Sequence, residues 1–364
     1  MFWINLLLPL VGSLASASNG ILGDQILELG PTRLLFGGHP MIDISCHVKQ
    51  DVVDELGFRK GESNRITPEV FRMLGERVKV ESRYPGGSSA VTARAYGFVG
   101  GDASFFGYCG DDELCDVFVD CLNDYGVHSL VERRKESHTS QIYCLITPDA
   151  ERTMYLLFGA SHLIHPESLP ASVMDEYDFY VINGFIFGTP GIIGFTHAMV
   201  DAALARGKRL ITLLANSVCI RLSGKYLKPI ADKSAYISGN IEEYLDLYEF
   251  KEREPLFRFF EERTSGETPQ HVAVIITLGE EGAYIICKGE RHFVPAPEVV
   301  AVDTTGAGDF FAGATLYGLL NGYTVQQAGA FGAAMAGDII GHMGAVVTDG
   351  LRAKIDAMKA EFKK

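Results

Sequence analysis

The chain has 364 residues, 47% of them hydrophobic and 21% charged, which is enough to bury the core of one large α/β domain. Its formal net charge of -14 argues against a duplex-binding protein, which needs a basic face for phosphates, and against an anionic membrane as main partner. One small phosphate ligand stays admissible, because backbone amides alone can bind it, while the seven cysteines, none in a C-x-x-C pair, read as reduced buried thiols and give zinc or thioredoxin chemistry no support.

Residues 2–14 are mostly apolar and run into Ala15-Ser16-Ala17, a small-residue stretch like a leader cleavage site. No basic n-region precedes them, Asn5 and Pro9 interrupt them, and they are too short to span a bilayer. The expectation is a dispensable N-terminal extension over 1–32, with the folded part beginning near Arg33. Residues 34–36 read as a short buried strand closed by Gly37-Gly38, and 48–66 as strands of a small flap. Val70, Leu74 and Val78 give 68–80 helical spacing. Gly86-Gly87 makes a turn into an Ala-rich helix over 90–98, with Ser88 or Ser89 as its cap.

Further along, 103–108 reads as a strand and 111–125 as a helix. Two strand-like runs, 139–147 and 152–158, flank Pro148-Asp149-Ala150-Glu151 and signal a hairpin. Strands at 179–182, 209–214, 235–238, 272–277 and 283–287 follow, with helices at 194–205 and from Ile241. This alternation predicts a mostly parallel sheet covered on both faces. The hairpin and the 48–66 region break the rhythm, and they read as a small β lid over the C-terminal edge of the sheet, where ligands bind in such folds.

The chemistry concentrates in Asp303-Thr304-Thr305-Gly306-Ala307-Gly308-Asp309-Phe310. A β-branched run precedes it, and an apolar helix through Phe311, Ala314, Leu316, Tyr317 and Leu320 follows. Gly306, Ala307 and Gly308 leave backbone N–H groups unshielded at a helix N-terminus, which suits an anion. Such donors steady the charge of a transferring phosphoryl group. Asp309, on the same turn, can take the proton of an attacking alcohol; alone it could equally be a helix cap. A Rossmann reading fails because Phe311 stands where the third glycine belongs, and no G-x-x-x-x-G-K-[ST] loop exists.

The octapeptide resembles the signature of the ribokinase-like (PfkB) family of carbohydrate and nucleoside kinases, nearest its adenosine-kinase-like branch, and the resemblance covers nearly the whole chain after about residue 33. It implies a three-layer α/β/α kinase domain over 33–364 with a mostly parallel central sheet and a lid built from about 43–66 and 137–160. It implies ATP and Mg2+ as cofactors, a sugar or nucleoside acceptor, a cytoplasmic setting and a monomer or homodimer. Asp309 becomes the general base and Gly306, Ala307 and Gly308 the anion hole, with Asp303 and Thr305 near a monovalent cation such as K+. Asn240-Ile241-Glu242-Glu243 is similar to the family's Asn-x-x-Glu motif, placing Glu243 on Mg2+ through water, although a capped helix start has the same spacing. Thr277, Gly279 and Gly282 resemble the nucleotide loop, or mark only a tight turn. The small residues of 328–344 resemble helices that pass the adenine.

On the acceptor side Asp43 resembles the sugar-binding carboxylate and Gly86-Gly87 the glycine pair beside it. Arg152, in a segment similar to the family's lid, either reaches phosphate or is simply an exposed hairpin arginine. Phe158, Phe185 and Phe187 could stack on a base or belong to the core. Two departures stand out. His39 and Val91 replace asparagines, so the acceptor differs, other residues compensate, or the chain binds without efficient turnover.

Overall fold

The computed structural model describes residues 32–149, 151–185 and 190–362. The proposed extension at 1–32 therefore lies almost wholly outside the described residues, as does Phe187.

In chain order the first half comprises β1 (Arg33–Gly37), β2 (Met41–His47), α1 (Gln50–Leu56), β3 (Ser63–Arg65), α2 (Pro68–Arg77), β4 (Ser82–Gly86), α3 (Ser88–Phe98), β5 (Asp102–Gly110), α4 (Glu113–Asp124), β6 (Val127–Arg134), β7 (Ser140–Ile146) and β8 (Arg152–Leu157). The second half comprises β9 (Phe179–Asn183), α5 (Pro190–Ala205), β10 (Arg209–Leu213), α6 (Ser217–Ala231), β11 (Tyr236–Asn240), α7 (Ile241–Tyr248), α8 (Arg253–Arg263), β12 (Ala273–Thr277), β13 (Ala283–Cys287), β14 (Glu290–Val294), α9 (Ala307–Leu320), α10 (Val325–Ile340) and α11 (Asp349–Phe362).

Nine strands form the central sheet in the order β14-β13-β12-β11-β10-β9-β1-β5-β6. All neighbours from β12 to β6 pair parallel, and β13 and β14 close one edge antiparallel. Alternation along the strands sorts the core onto two faces. Leu34, Phe36, Phe179 and Val181 pack with α3, α4, α9, α10 and α11, while Leu35, Tyr180 and Ile182 pack with α5, α6, α7 and α8. The result is the expected α/β/α arrangement. Among the described residues no helix is long and apolar enough to cross a membrane.

Helix α9 is buried on all sides from Phe310 to Leu320, so it runs through the core rather than along the surface. Gly313 lets it do so. A Cβ there would lie 2.4 Å from Thr92 O of α3, and only hydrogen permits the two helices to cross this closely.

A second sheet, β3-β8-β7-β2-β4, forms the lid. Its hairpin β7–β8 lies where the sequence places it. Two expectations need correction. Residues 48–66 are not a pair of strands, for α1 occupies Gln50–Leu56 and only β3, three residues long, is extended. Beyond the two predicted segments, the lid also takes in β4, whose Ser82–Gly86 pairs antiparallel with β2. Helix α2 covers the lid, with Phe71 against Tyr143 of β7 at 4.7 Å between ring centroids. Thr67 caps α2 by accepting from Val70 N, and Pro68 opens it. Neither Ser88 nor Ser89 caps α3; Gly87 holds the cap position with φ 85°, and both hydroxyls are engaged elsewhere.

Candidate active site

The C-terminal ends of the parallel strands, the mouth of α9 and the inner face of the lid enclose one cleft of about 420 Å³. Position follows from topology, because β1, β9, β10, β11 and β12 all point there, and Gly38, Asn183, Leu213, Asn240 and Thr277, at or just past their ends, become its floor. Asp309, Gly306, Gly308, Asp43, Gly87, His39, Val91, Arg152, Asn240, Glu243, Thr277 and Thr305 all line it.

Asp309 sits on the first turn of α9. Ser88 Oγ donates to its Oδ1 at 2.6 Å and Thr92 Oγ1 to the same oxygen at 3.2 Å. Asn183 Nδ2 in turn donates to Ser88 Oγ at 2.8 Å, which aims the hydroxyl. No donor among the described residues reaches Oδ2. Burial raises the Asp309 carboxyl to about 6, against the opposing pull of Ser88, Thr92 and the Arg94 charge. The group is therefore largely ionised at neutral pH but still basic enough to accept a proton.

The turn before it is formed with Gly306 at φ 78°, a left-handed conformation that favours glycine. The three expected amides are not equivalent. Ala307 N donates to Thr304 O at 3.2 Å, and Ala307 does not line the cleft. Gly306 and Gly308 do line it. The correction follows from turn geometry, since closing the loop onto the helix consumes one of its own donors.

Asp43 projects from β2 against Gly86 of β4. A Cβ on Gly86 would lie 2.2 Å from the Asp43 carboxylate, so the first glycine of the pair makes room for the acid. Burial raises the Asp43 carboxyl to about 7, with Arg94 opposing. Its Oδ1 is buried and has no hydrogen-bond partner among the described residues, an arrangement that costs free energy unless a ligand supplies a donor. Val91 is 4% exposed and abuts the turn: a Cβ on Gly306 would lie 3.4 Å from its Cγ1. His39 meets the ring of Phe158 edge-on at 5.3 Å. Burial, with the charges of Arg65 and His162, lowers it to about 4, so it is neutral.

On the opposite side of the cleft Asn240 and Glu243 form a complete capping box at the start of α7. Glu243 N donates to Asn240 Oδ1 at 2.9 Å and Asn240 N to Glu243 Oε2 at 2.9 Å. The capping and cleft-lining readings therefore coexist. Glu243 is 4% exposed, and burial, the charge of Asp309 adding to it, raises its carboxyl to about 8 despite the bond from Asn240 N. Gly279 and Gly282 shape the turn between β12 and β13 and do not line the cleft.

Arg152 opens β8 and reaches across to the body, where Nη2 donates to Asp303 Oδ1 at 2.6 Å. Phe158 and Phe185 line the cleft. Ser88, Thr92, Asn183 and Arg94 are contributors that the sequence does not announce. Ser88 could have been found from its place after the glycine pair, and Asn183 from its place at a strand end.

A family model described as pfkB family carbohydrate kinase matches residues 62–349. The aminoimidazole riboside kinase of Salmonella typhimurium is 27% identical over 266 residues, which cover 68% of this chain and 77% of that protein. An adenosine kinase from Sinorhizobium meliloti superposes with a TM-score of 0.80 at 25% identity, covering 91% of this chain and 100% of that one. A probable sugar kinase from Rhizobium etli CFN 42 gives the same TM-score of 0.80 and identity of 25%, covering 92% and 100%.

Proposed function

Since the chain belongs to the PfkB family of carbohydrate kinases, we propose that it transfers the γ-phosphoryl group of ATP to a hydroxyl of a nucleoside-type acceptor. The observation that carries this reading is the mouth of α9, where a carboxylate raised to about 6 shares one cleft with Gly306 and Gly308.

In this mechanism Asp43 holds two adjacent acceptor hydroxyls, its orphaned Oδ1 gaining the donor it lacks. Asp309 takes the proton of the attacking hydroxyl through Oδ2, while Ser88 and Thr92 keep Oδ1 fixed. Gly306 and Gly308 direct N–H groups at the oxygens of the group in transfer. Asn240 and Glu243 face the nucleotide side. Glu243, buried and lining the cleft, would face Mg2+ through water, with the ion carried mainly by nucleotide phosphates. When bound, that ion neutralises phosphate charge.

The acceptor class is read from the wall between Asp43 and His39. Met41, Ile142, Met154, Leu156 and Phe158 make it apolar, which favours an acceptor with a flat hydrophobic portion over a bare polyol. A purely binding role would need neither the Ser88–Asp309 bond nor Gly306 and Gly308.

An ADP-release screen with Mg-ATP tests the reading, using adenosine, inosine, aminoimidazole riboside, ribose, fructose, fructose phosphates and 2-keto-3-deoxygluconate. Turnover with a nucleoside is the expected result. Turnover confined to free sugars sinks the acceptor assignment, and no turnover with any acceptor sinks the kinase assignment.

A further inference from the structure

Asp303 precedes the anion-binding turn and is 3% exposed, so its charge needs an answer from within the protein. Donors from Thr305, Gly344 and Arg152 give it. Thr305 N donates to Oδ1 at 2.8 Å, Gly344 N to Oδ2 at 3.0 Å, and Arg152 Nη2 to Oδ1 at 2.6 Å. Every group meeting the carboxylate presents a hydrogen, and one carries a full positive charge. That is the opposite of a cation site, which gathers oxygen acceptors around the ion. The donor set at Asp303 therefore does not fit the monovalent cation expected beside it.

Each partner ties Asp303 to a different part of the site. Thr305 opens the turn that carries Gly306. Gly344 sits in the loop after α10, where a Cβ would lie 3.3 Å from the Tyr84 ring of the lid. Arg152 belongs to β8, which is joined through β7 to the strand bearing Asp43: Asp43 pairs with Ile142, and Ile142 with Leu156. The guanidinium is thus the point where the acceptor-holding sheet touches the phosphoryl-holding turn.

We propose that Arg152 is a positioning residue that supplies Asp303 with its counter-charge from the lid, in place of a monovalent cation, so that the anion-binding turn is ordered without K+. This rests on the reading of the Gly306–Gly308 turn as the phosphoryl cradle. The arginine touches neither reacting atom; it acts through Asp303 on the Thr305 and Gly344 amides. Its charge is delivered only when the lid is seated, so acceptor capture and ordering of the turn are one event.

The test compares the wild type with Arg152→Gln and Arg152→Lys in KCl and in choline chloride at equal ionic strength. Two readouts are taken: ADP release with the best acceptor, and amide hydrogen exchange at Thr305 and Gly344 without substrates. The wild type should show kcat and exchange that change less than about twofold between the salts, while Arg152→Gln should lose on the order of tenfold in kcat. That variant should exchange faster than the wild type in both salts, and Arg152→Lys should stay close to the wild type. A wild type activated severalfold by K+ overturns the proposal. So does an Arg152→Gln variant with wild-type amide protection in either salt. If no acceptor is phosphorylated, the kinase reading falls while the exchange measurement still decides the role of Arg152.

Discussion

Replacing Asp309 by Asn changes one atom and leaves the scaffold in place. The new side chain keeps an oxygen where Ser88 and Thr92 donate, so α3 and α9 should remain joined. What disappears is the basic Oδ2. Loss of a general base costs roughly 10²–10⁴ in kcat, equivalent to about 3–5 kcal/mol of transition-state stabilisation. The pH dependence makes the argument specific. With the carboxyl at about 6, the wild-type rate should be flat above pH 7 and fall about tenfold per pH unit well below 6, since only the ionised form accepts a proton. Ser88 pulls that carboxyl down, so Ser88→Ala should move the limb to higher pH, whereas Asp309→Asn should abolish it. Steady-state kcat from pH 5 to 8 for the three proteins, with ATP affinity measured separately, makes the comparison. An Asp309→Asn enzyme with wild-type kcat, or a limb unmoved by Ser88→Ala, would refute the assignment.

Other outcomes follow from the acceptor side. Gly86→Ala should crowd the Asp43 carboxylate, at a cost of about 1–3 kcal/mol for overpacking; acceptor KM should rise while ATP KM stays put, and equal effects on both would count against the Asp43 role. Asp43 has a folded-state value of about 7, above the unfolded one, so the protein should be most stable below pH 4 with respect to this group and lose that contribution as pH rises towards 7. Asp43→Asn should remove that slope, raise unfolding free energy at pH 8 by on the order of 1–3 kcal/mol and abolish acceptor binding; denaturant melts at pH 5 and 8 report it, and a parallel offset at both would be contrary. Val91→Asn should shift preference towards polyol acceptors without changing ATP KM, measured as kcat/KM ratios across the acceptor panel.

The octapeptide and strand–helix alternation announced the sheet, the three layers and the helix mouth, because those depend on local patterning and on a contiguous turn. What stayed hidden depends on contacts between distant segments. Strand β4 carries Pro85 and Gly86 and reads as a turn, yet pairing with β2 makes it a lid strand. Helix α1 lacks a side-chain cap and is seven residues long, too short for a clear period. Ser88 reads as a cap locally, but its bond to Asp309 spans 221 positions. Ala307 looked interchangeable with its glycine neighbours until the closing of the turn turned its amide inward. The fate of Arg152 was open in the sequence for the same reason, its partner lying 151 residues away.

Gly306 and Asp309 are three residues apart on one continuous turn, and a helix rises about 1.5 Å per residue. The spacing between the proposed proton acceptor and the proposed phosphoryl cradle is therefore set by peptide geometry, whatever is bound above. Substitutions in the overlying strands can reshape the wall that meets the alcohol and leave this spacing untouched. A frame built this way can change its clientele while conserving its reaction.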